Sequence, residues 1–202
     1  MIAWSIVAAR ASGVFDRVIV STDDDEIAKI ARVEGAEIPF ERPANLADDH
    51  TPTVPVIRHA IEVAESLWGP QELVCCLYAT APFVRAGDLS DGYALLKRSD
   101  AGFALPVTSF PFPIQRAVRR HGDGRIEMFH PEYAVARSQD LEKAWHDVGQ
   151  FYWGRRAAWF GDVPLIGPAS VTLPLPRYRV QDIDTPEDWR RAEALFAALG
   201  AS

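Results

Sequence analysis

Residues 73–82, which read LVCCLYATAP, decide the fold of this chain. The run is apolar in the way that is typical of a strand buried in a sheet. Because alternation along a strand sends neighbouring side chains to opposite faces, Cys75 and Cys76 are predicted to stay as two free thiols. A buried strand needs helices or a second sheet to cover it, so the segments on either side determine the fold class.

Helix and strand patterns alternate around this run. Downstream, residues 86–99 (AGDLSDGYALLKRS) predict a helix and residues 101–110 (AGFALPVTSF) predict a strand. Upstream, RVIVST (17–22) and AEIPF (36–40) predict two strands, with an amphipathic helix between them. Short links between alternating elements predict an α/β fold, with a mainly parallel sheet and helices on both faces.

The middle of the chain breaks this alternation. Residues 110–132 are proline-rich and contain the turn sequence GDG at 122–124, which predicts a β-hairpin. Alternation returns with GQFYWGRRAAWF (149–160), a strand at YRVQDID (178–184) and a final helix at 186–199. We therefore predict a single domain over residues 1–202, with an inserted β region at about 110–148.

The composition of the chain argues against several classes of function. The 202 residues carry a net charge of −7, which argues against a role in binding duplex nucleic acid. No apolar run approaches the roughly 20 residues of a membrane span. The chain opens without a signal-peptide pattern, and no Cys/His spacing is typical of a zinc site. These features predict a cytoplasmic protein that acts on small molecules, without nucleic-acid or membrane partners.

Polar residues follow several of the predicted strands, at the sheet edge where open α/β sheets bind ligands. In STDDDEI (21–27), the favoured interpretation is that the polar residues cap the next helix and form its first turn. Asp23 could either belong to this helix start or bind a ligand. In RPANLADDHTPT (42–53), Arg42 could grip a phosphate or carboxylate, while Asp49 or Thr51 could cap the next helix. Thr80, in YATAPFVR (78–85), either ends a strand or forms the floor of a nucleotide pocket.

The segment 136–154 places polar residues beside several aromatic ones. Arg137 and Gln139 could grip a carboxylate or sugar hydroxyls. The alternative is a helix with a solvated polar face, followed by a strand of core aromatics. For Trp145 and Trp153 the core is the favoured location.

The stretch VQDIDTPEDW (180–189) allows two functions. As a strand, it would place Asp182 and Asp184 on one face, about 7 Å apart, where two carboxylates can hold Mg²⁺. As a helix start, it would use Thr185 as N-cap, Pro186 at the first helical position and Asp188 in a capping box. The two interpretations use different residues and are compatible.

Taken together, these segments resemble the acylneuraminate cytidylyltransferases, which activate nonulosonic acids with CTP. The segments that carry the resemblance, in order along the chain, are VIVSTDD, RPANLADDHTPT, LYATAPFVR, RSQDL, GQFYWG and YRVQDIDTPEDW. TSFPFPIQRA and HDVGQFYWG point to the pseudaminic acid branch. The resemblance leaves legionaminic and sialic acid as alternative substrates.

The resemblance implies a mixed, mainly parallel sheet of the nucleotide-diphospho-sugar transferase type, with a protruding hairpin region that builds a homodimer. It implies that the anomeric hydroxyl of the sugar attacks the α-phosphate of CTP and that pyrophosphate leaves. By the same resemblance, Asp182 and Asp184 would bind Mg²⁺ and act in catalysis. The cytidine nucleotide would contact Arg42, Thr51, Thr53 and Thr80. The acidic nine-carbon sugar would contact Arg137, Gln139, Phe151 and Tyr152.

One departure from the family pattern concerns the start of the chain. The family begins with a strand and a glycine-rich basic loop around the triphosphate, whereas residues 1–5 match family sequence downstream of that loop. No G-x-G-x-x-G or G-x-x-x-x-G-K-[ST] motif occurs anywhere in the chain. We therefore expect this chain to lack the first strand and the loop, and to be impaired in catalysis. The alternative function is a non-catalytic module that binds a nucleotide or sugar, or a dimerising scaffold.

Overall fold

The computed structural model describes residues 1–48 and 50–199. The helices are α1 (Ile2–Ser12), α2 (Asp25–Val33), α3 (Thr53–Trp68), α4 (Ala86–Arg98), α5 (Arg156–Phe160) and α6 (Pro186–Leu199). The strands are β1 (Leu73–Leu77), β2 (Phe103–Ser109), β3 (Val118–Arg120), β4 (Ile126–Met128), β5 (Trp145–Asp147), β6 (Phe151–Arg155) and β7 (Ser170–Pro174). The helices predicted at 86–99 and 186–199 and the strands predicted at 73–82 and 101–110 are confirmed.

The main sheet is mixed, which confirms the α/β class, but the expectation of a mainly parallel sheet is wrong, because three of its four strand pairings among the described residues are antiparallel. β6 lies between β1 and β2 and is antiparallel to both, and β7 pairs with β2 in parallel on the other side. β5 pairs with the far end of β2, next to β6. Thus β1, β2 and β7 share one direction while β5 and β6 run the opposite way. β1 and β2 are not neighbours, because β6 enters the sheet between them on its return from the middle region.

Helices cover both faces of the sheet, as predicted. In β6, Phe151 and Trp153 face the core that α1 and α4 help to form, while Tyr152 faces the core beneath α3 and α5. This alternation explains why nearly all of β6 is apolar: it is covered on both faces. Cys75 and Cys76 are free thiols, as expected.

The two strands predicted at 17–22 and 36–40 are wrong as full strands. The segments meet in one parallel bridge between Ile19 and Glu37, with Val20 N–H donating to the Glu37 carbonyl and Glu37 N–H donating to the Val18 carbonyl. A strand is stabilised by ladders to its neighbours, and among the described residues this pair has no other sheet partner. The β-branched residues alone therefore do not extend the ladder.

The strand predicted at 178–184 is also wrong. Arg177–Arg179 form a 3-10 turn, closed by Val180 N–H donating to the Arg177 carbonyl, and no ladder follows it. The side chain of Arg179 is buried against Asp88 at the start of α4. This long-range ion pair, rather than period-two alternation, sets the path of the segment.

Residues 110–144 leave the sheet and include the predicted hairpin, in which β3 and β4 pair antiparallel around Gly124. Gly124 has φ +88°, a left-handed conformation that glycine adopts without strain. The longest described helix, α3, has 16 residues, and within 1–48 and 50–199 no helix is long and apolar enough to cross a membrane.

Candidate functional site

The predicted nucleotide residue Arg42 lies beside the end of the Val18–Val20 segment. Its backbone N–H donates to the Thr22 carbonyl at 2.9 Å, and its Nε donates to Ser21 Oγ at 3.1 Å. Its Nη2 also donates to the Ser21 carbonyl. Arg42 therefore holds its loop against the sheet edge, with its guanidinium half-buried there.

The other predicted nucleotide residues lie in two places. Thr51 shares a turn with Asp48, and the backbone N–H of His50 and then the Thr51 hydroxyl lower the pKa of Asp48. Thr53 is the first residue of α3, and Thr80 lies exposed in the turn after β1. Pro52 is the N-cap of α3 and no side-chain cap is present there, so Thr51 does not cap the helix; the other predicted cap, Asp49, lies outside the described residues.

A short polar chain runs between α3 and the β5–β6 link. Thr53 Oγ1 and the Tyr78 hydroxyl lie 3.1 Å apart. The Tyr78 ring meets the Tyr152 ring edge to face at 5.6 Å, and the Tyr152 hydroxyl donates to Asp147 Oδ2. Burial, followed by the hydrogen bond to Asp147, raises the pKa of Tyr152, so its hydroxyl stays a donor at neutral pH.

The same aspartate shapes the turn next to Asp182. Asp147 Oδ1 accepts the Gly149 N–H at 3.2 Å, and Gly149 adopts φ +61°. A Cβ on Gly149 would lie 3.2 Å from Asp182 Oδ1, so the carboxylate rests directly on this glycine. Both the left-handed backbone and this close approach call for glycine at position 149.

The two predicted metal ligands, Asp182 and Asp184, lie on the exposed segment that precedes α6. Partial burial and then the charge of Asp184 raise the pKa of Asp182, as expected for a carboxylate with a second carboxylate two residues away in the chain. Among the described residues, neither forms an ion pair with a basic side chain. Within those residues no set of three or more His, Cys, Asp or Glu side chains forms a metal site.

This donor set fits Mg²⁺. Magnesium commonly takes one or two protein carboxylates and completes its octahedron with water and substrate phosphate oxygens. Two neighbouring carboxylates without a basic partner meet that need, and a bound cation would relieve their repulsion. The sequence predicted that both carboxylates would project from one face of a strand. That geometry is absent, because the segment is not a strand.

The helix start predicted beside them is confirmed. The Asp188 carboxylate accepts the backbone N–H and hydroxyl of Thr185, at 3.0 and 2.7 Å, and Asp188 N–H donates to Thr185 Oγ1 at 3.2 Å. This is a reciprocal capping box in front of α6. Asp182 and Asp184 take no part in these three bonds, as the sequence indicated. The helix start predicted at 21–27 is also present, with Asp24 accepting from Glu26 and Ile27 N–H.

The predicted sugar residues are divided between two regions. Arg137 and Gln139 lie exposed in the 110–144 region, where Arg137 forms an ion pair with Asp140 at 2.7 Å. Phe151 is 0% exposed and Tyr152 is 5% exposed, both within β6. Phe151 therefore serves the core in this structure, and its contact with a sugar stays a prediction.

Three residues with clear roles here were not predicted as site residues: Asp147, Tyr78 and Gly149. A signal for Asp147 was present in the sequence, because an aspartate two residues before a glycine is typical of a turn in which the side chain accepts the second backbone N–H. The partnership of Tyr78 with Thr53 had no local signal, since the two are 25 residues apart.

Comparison with known proteins identifies the family. The cytidylyltransferase family matches residues 1–151. The chain belongs to the cytidylyltransferase family. A pseudaminic acid cytidylyltransferase of Campylobacter jejuni is 40% identical over 196 residues, which are 97% of this chain and 84% of that relative. An N-acylneuraminate cytidylyltransferase of Escherichia coli is 35% identical over 95% of this chain but only 45% of its own length.

Solved structures show that this cytidylyltransferase shares its fold with nucleotide-sugar enzymes. A CMP:2-keto-3-deoxy-manno-octonic acid synthetase complexed with CTP has a TM-score of 0.63 at 15% identity, and the match covers 98% of this chain and 88% of that one. A 4-diphosphocytidyl-2C-methyl-D-erythritol synthase of Anaerococcus prevotii has the same TM-score at 11% identity, covering 96% and 84%. At these identities the likeness concerns the fold, and it confirms the predicted nucleotide-diphospho-sugar transferase type.

Proposed function

We propose that this cytidylyltransferase transfers CMP from CTP to the anomeric hydroxyl of a nonulosonic acid, most favourably pseudaminic acid. The observation that carries the proposal is the 40% identity to the Campylobacter jejuni pseudaminic acid enzyme over 97% of the chain. The match spans 196 of the 202 residues and so includes Asp182 and Asp184, two carboxylates of the kind that hold a phosphate-bound cation. We also propose that the reaction takes place in the cytoplasm, where CTP is available and free thiols stay reduced.

In the proposed reaction, the anomeric oxygen forms a bond to the α-phosphorus of CTP. The bond from that phosphorus to the α–β bridging oxygen breaks, pyrophosphate leaves, and the hydroxyl proton passes to solvent. Such a transfer depends on holding the two reactants in line and on neutralising phosphate charge. Mg²⁺, when bound, supplies that neutralisation.

The protein's own part is to bind and orient. Asp182 and Asp184 would hold the cation. Arg42, Thr51, Thr53 and Thr80 would line the nucleotide side, since they belong to the segments that follow the Val18–Val20 bridge and β1. Arg137 would bind the sugar carboxylate, for which its planar guanidinium is suited. To do so, Arg137 must release the Asp140 carboxylate that it binds in this structure.

The test is pyrophosphate release by the full-length gene product, with CTP and each of three acids: pseudaminic, legionaminic and N-acetylneuraminic. We expect the highest kcat/KM with pseudaminic acid, loss of activity with EDTA and its return with Mg²⁺. A higher kcat/KM with another acid would overturn the substrate assignment. Binding of CTP without pyrophosphate release from any of the three would instead support a non-catalytic binding module.

We further propose that the 110–144 region forms a homodimer contact. It exposes several large apolar side chains, among them Phe112 at 79% and Val135 at 95%, and Ile126 and Phe129 are exposed as well. Apolar side chains exposed together in one region are typical of interaction surfaces.

Sedimentation velocity at micromolar concentration tests this dimer. We expect a dimer for the wild type and a shift toward monomer for Phe112→Ser, with Val33→Ser as the control because Val33 is equally exposed, at 79%, on α2 outside this region. A wild-type protein that sediments as a monomer, or an equal shift with both variants, would contradict the proposal.

A further inference from the structure

The polar chain beneath the site connects its two predicted halves. On the nucleotide side, Thr53 contacts the Tyr78 hydroxyl at 3.1 Å. On the cation side, Gly149 supports the Asp182 carboxylate. Asp147 and Tyr152 join the two, and we call these five residues, Thr53, Tyr78, Asp147, Gly149 and Tyr152, the Asp147 network.

Asp147 uses both of its carboxylate oxygens in this network, one toward each half of the site. Its Oδ2 accepts the Tyr152 hydroxyl, and its Oδ1 accepts the Gly149 N–H at 3.2 Å. Its backbone is fixed as well, because Asp147 pairs with Val107 at the end of the β2–β5 ladder and its carbonyl contacts His146 Nδ1 at 2.8 Å. A carboxylate with both oxygens bonded and a fixed backbone has little freedom to move.

The two bonds have different consequences for the site. The bond to Gly149 N–H stabilises the left-handed turn on which Asp182 rests, so close that a Cβ on residue 149 would force the carboxylate to shift. The bond from Tyr152 fixes a ring that is 5% exposed, and this ring in turn packs edge to face on Tyr78. A change at Asp147 is therefore transmitted to Asp182 and to Thr53 by separate routes.

We propose that Asp147 is a positioning residue of this enzyme, which sets the placement of the Asp182 carboxylate and of Thr53 relative to each other. The inference rests on the proposed nucleotidyl transfer, because the two groups that it aligns are the predicted cation ligand and a predicted nucleotide contact. Asp147 itself need not touch either reactant. Residues that support metal ligands from behind typically change metal affinity or activity by about 10- to 100-fold when replaced.

The tests use Asp147→Ala, Asp147→Asn and Tyr152→Phe in the full-length protein, with Asp162→Asn as control. Asp162 is an exposed aspartate in the loop after α5, away from the network. For Asp147→Ala, we expect kcat/KM for CTP to fall about 10- to 100-fold, with the Mg²⁺ concentration for half-maximal rate raised. Asp147→Asn should recover most of this loss, since its amide can still accept the Gly149 N–H and donate to the Tyr152 oxygen.

A double-mutant cycle separates positioning from general loosening of the fold. If Asp147 acts on Thr53 through Tyr152, the combination of Asp147→Ala with Tyr152→Phe should lower kcat/KM little further than Asp147→Ala alone. Additive losses would overturn the Tyr152 route. A lowered melting temperature with unchanged kcat/KM and unchanged Mg²⁺ requirement per folded enzyme would overturn the proposal as a whole.

A binding measurement keeps this inference separate from the proposed reaction. Calorimetric titration of CTP in the presence of Mg²⁺ should show weaker binding for Asp147→Ala than for wild type and Asp162→Asn. If the wild type binds CTP but turns over no sugar, the proposed function fails while this titration still decides the role of Asp147. Equal affinities in all three proteins would overturn the positioning role.

Discussion

Two carboxylates at the same edge of the sheet, Asp88 and Asp182, have opposite surroundings. Asp88 is 8% exposed and accepts two bonds from the Arg179 guanidinium, at 2.7 and 2.9 Å. It also accepts the Arg85 N–H at the start of α4. Asp182 is exposed, lies near Asp184 and, within 1–48 and 50–199, forms no ion pair with a basic side chain. Only two residues separate Arg179, which neutralises Asp88, from Asp182.

The difference shows how to distinguish structural from functional acids in this protein. A buried carboxylate with a bidentate arginine has its charge balanced within the chain, and its removal affects the fold. Neighbouring carboxylates that only repel each other weaken the fold slightly and are suited to an external cation. The comparison therefore predicts that Asp88 controls stability while Asp184, the companion of Asp182, controls activity.

The largest effect is expected at Asp88. In Asp88→Asn, the Arg179 guanidinium stays buried without a counter-charge, so we expect the free energy of unfolding to fall by about 3–5 kcal/mol. For a chain of this size the melting temperature should drop by on the order of 10 °C. Calorimetry measures it, and Asp91→Asn on the exposed side of α4 is the control. A melting temperature within 2 °C of wild type, by the same rule, would contradict the structural role of the pair.

The reverse pattern is expected at Asp184. Asp184→Ala should lower the rate of Mg²⁺-dependent pyrophosphate release by about 100-fold or more, as for other groups that stabilise developing charge. Because Asp184 is exposed and has no ion-pair partner among the described residues, the melting temperature should change little. A large loss of melting temperature would mean that Asp184 serves the fold, and the contrast with Asp88 would then disappear.

Sequence patterns correctly predicted the helices and strands that depend mainly on residues close together in the chain. β2, α4 and α6 follow directly from apolar patterning and helix-start residues, and the capping box at Thr185 and Asp188 involves positions only three apart. Because the capping box depends only on nearby residues, the prediction that Thr185 and Asp188 cap α6 without Asp182 and Asp184 is also confirmed.

The errors occur where distant residues decide the structure. Arg179 is 91 residues from Asp88, and this pair replaces the strand predicted at 178–184. The segment 17–22 has strong β-forming residues but only a single bridge to Glu37, because a strand depends on its neighbours more than on its own composition. The bond from Asp147 to Gly149 is local and had a sequence signal, whereas the bond from Tyr152 depends on how β6 packs and had none.

The smallest effect is expected at Thr185. Its partner Asp188 is intermediate between the two types of carboxylate, because it is half-buried and hydrogen-bonded within the chain but has no buried arginine partner among the described residues. Thr185→Ala removes the N-cap hydroxyl of α6 and should lower the free energy of unfolding by about 1 kcal/mol. This corresponds to about 2–4 °C in melting temperature, measurable by calorimetry at pH 7 with Thr172→Ala, an exposed position on β7, as a control.

The dependence of that effect on pH tests its cause. The hydrogen bonds from Thr185 lower the pKa of Asp188 below its ordinary value of 3.8. A carboxyl with a lowered folded pKa stabilises the protein fully above its unfolded value and loses that contribution as the pH falls through the folded value. The difference between wild type and Thr185→Ala should therefore be constant from pH 7 to about pH 5 and shrink below pH 3.8, as Asp188 becomes protonated. A difference that persists unchanged at the lower pH would show that the threonine acts through the bond that its hydroxyl accepts from Asp188 N–H, and the Asp188 carboxylate would then have no part in the contrast between paired and unpaired acids.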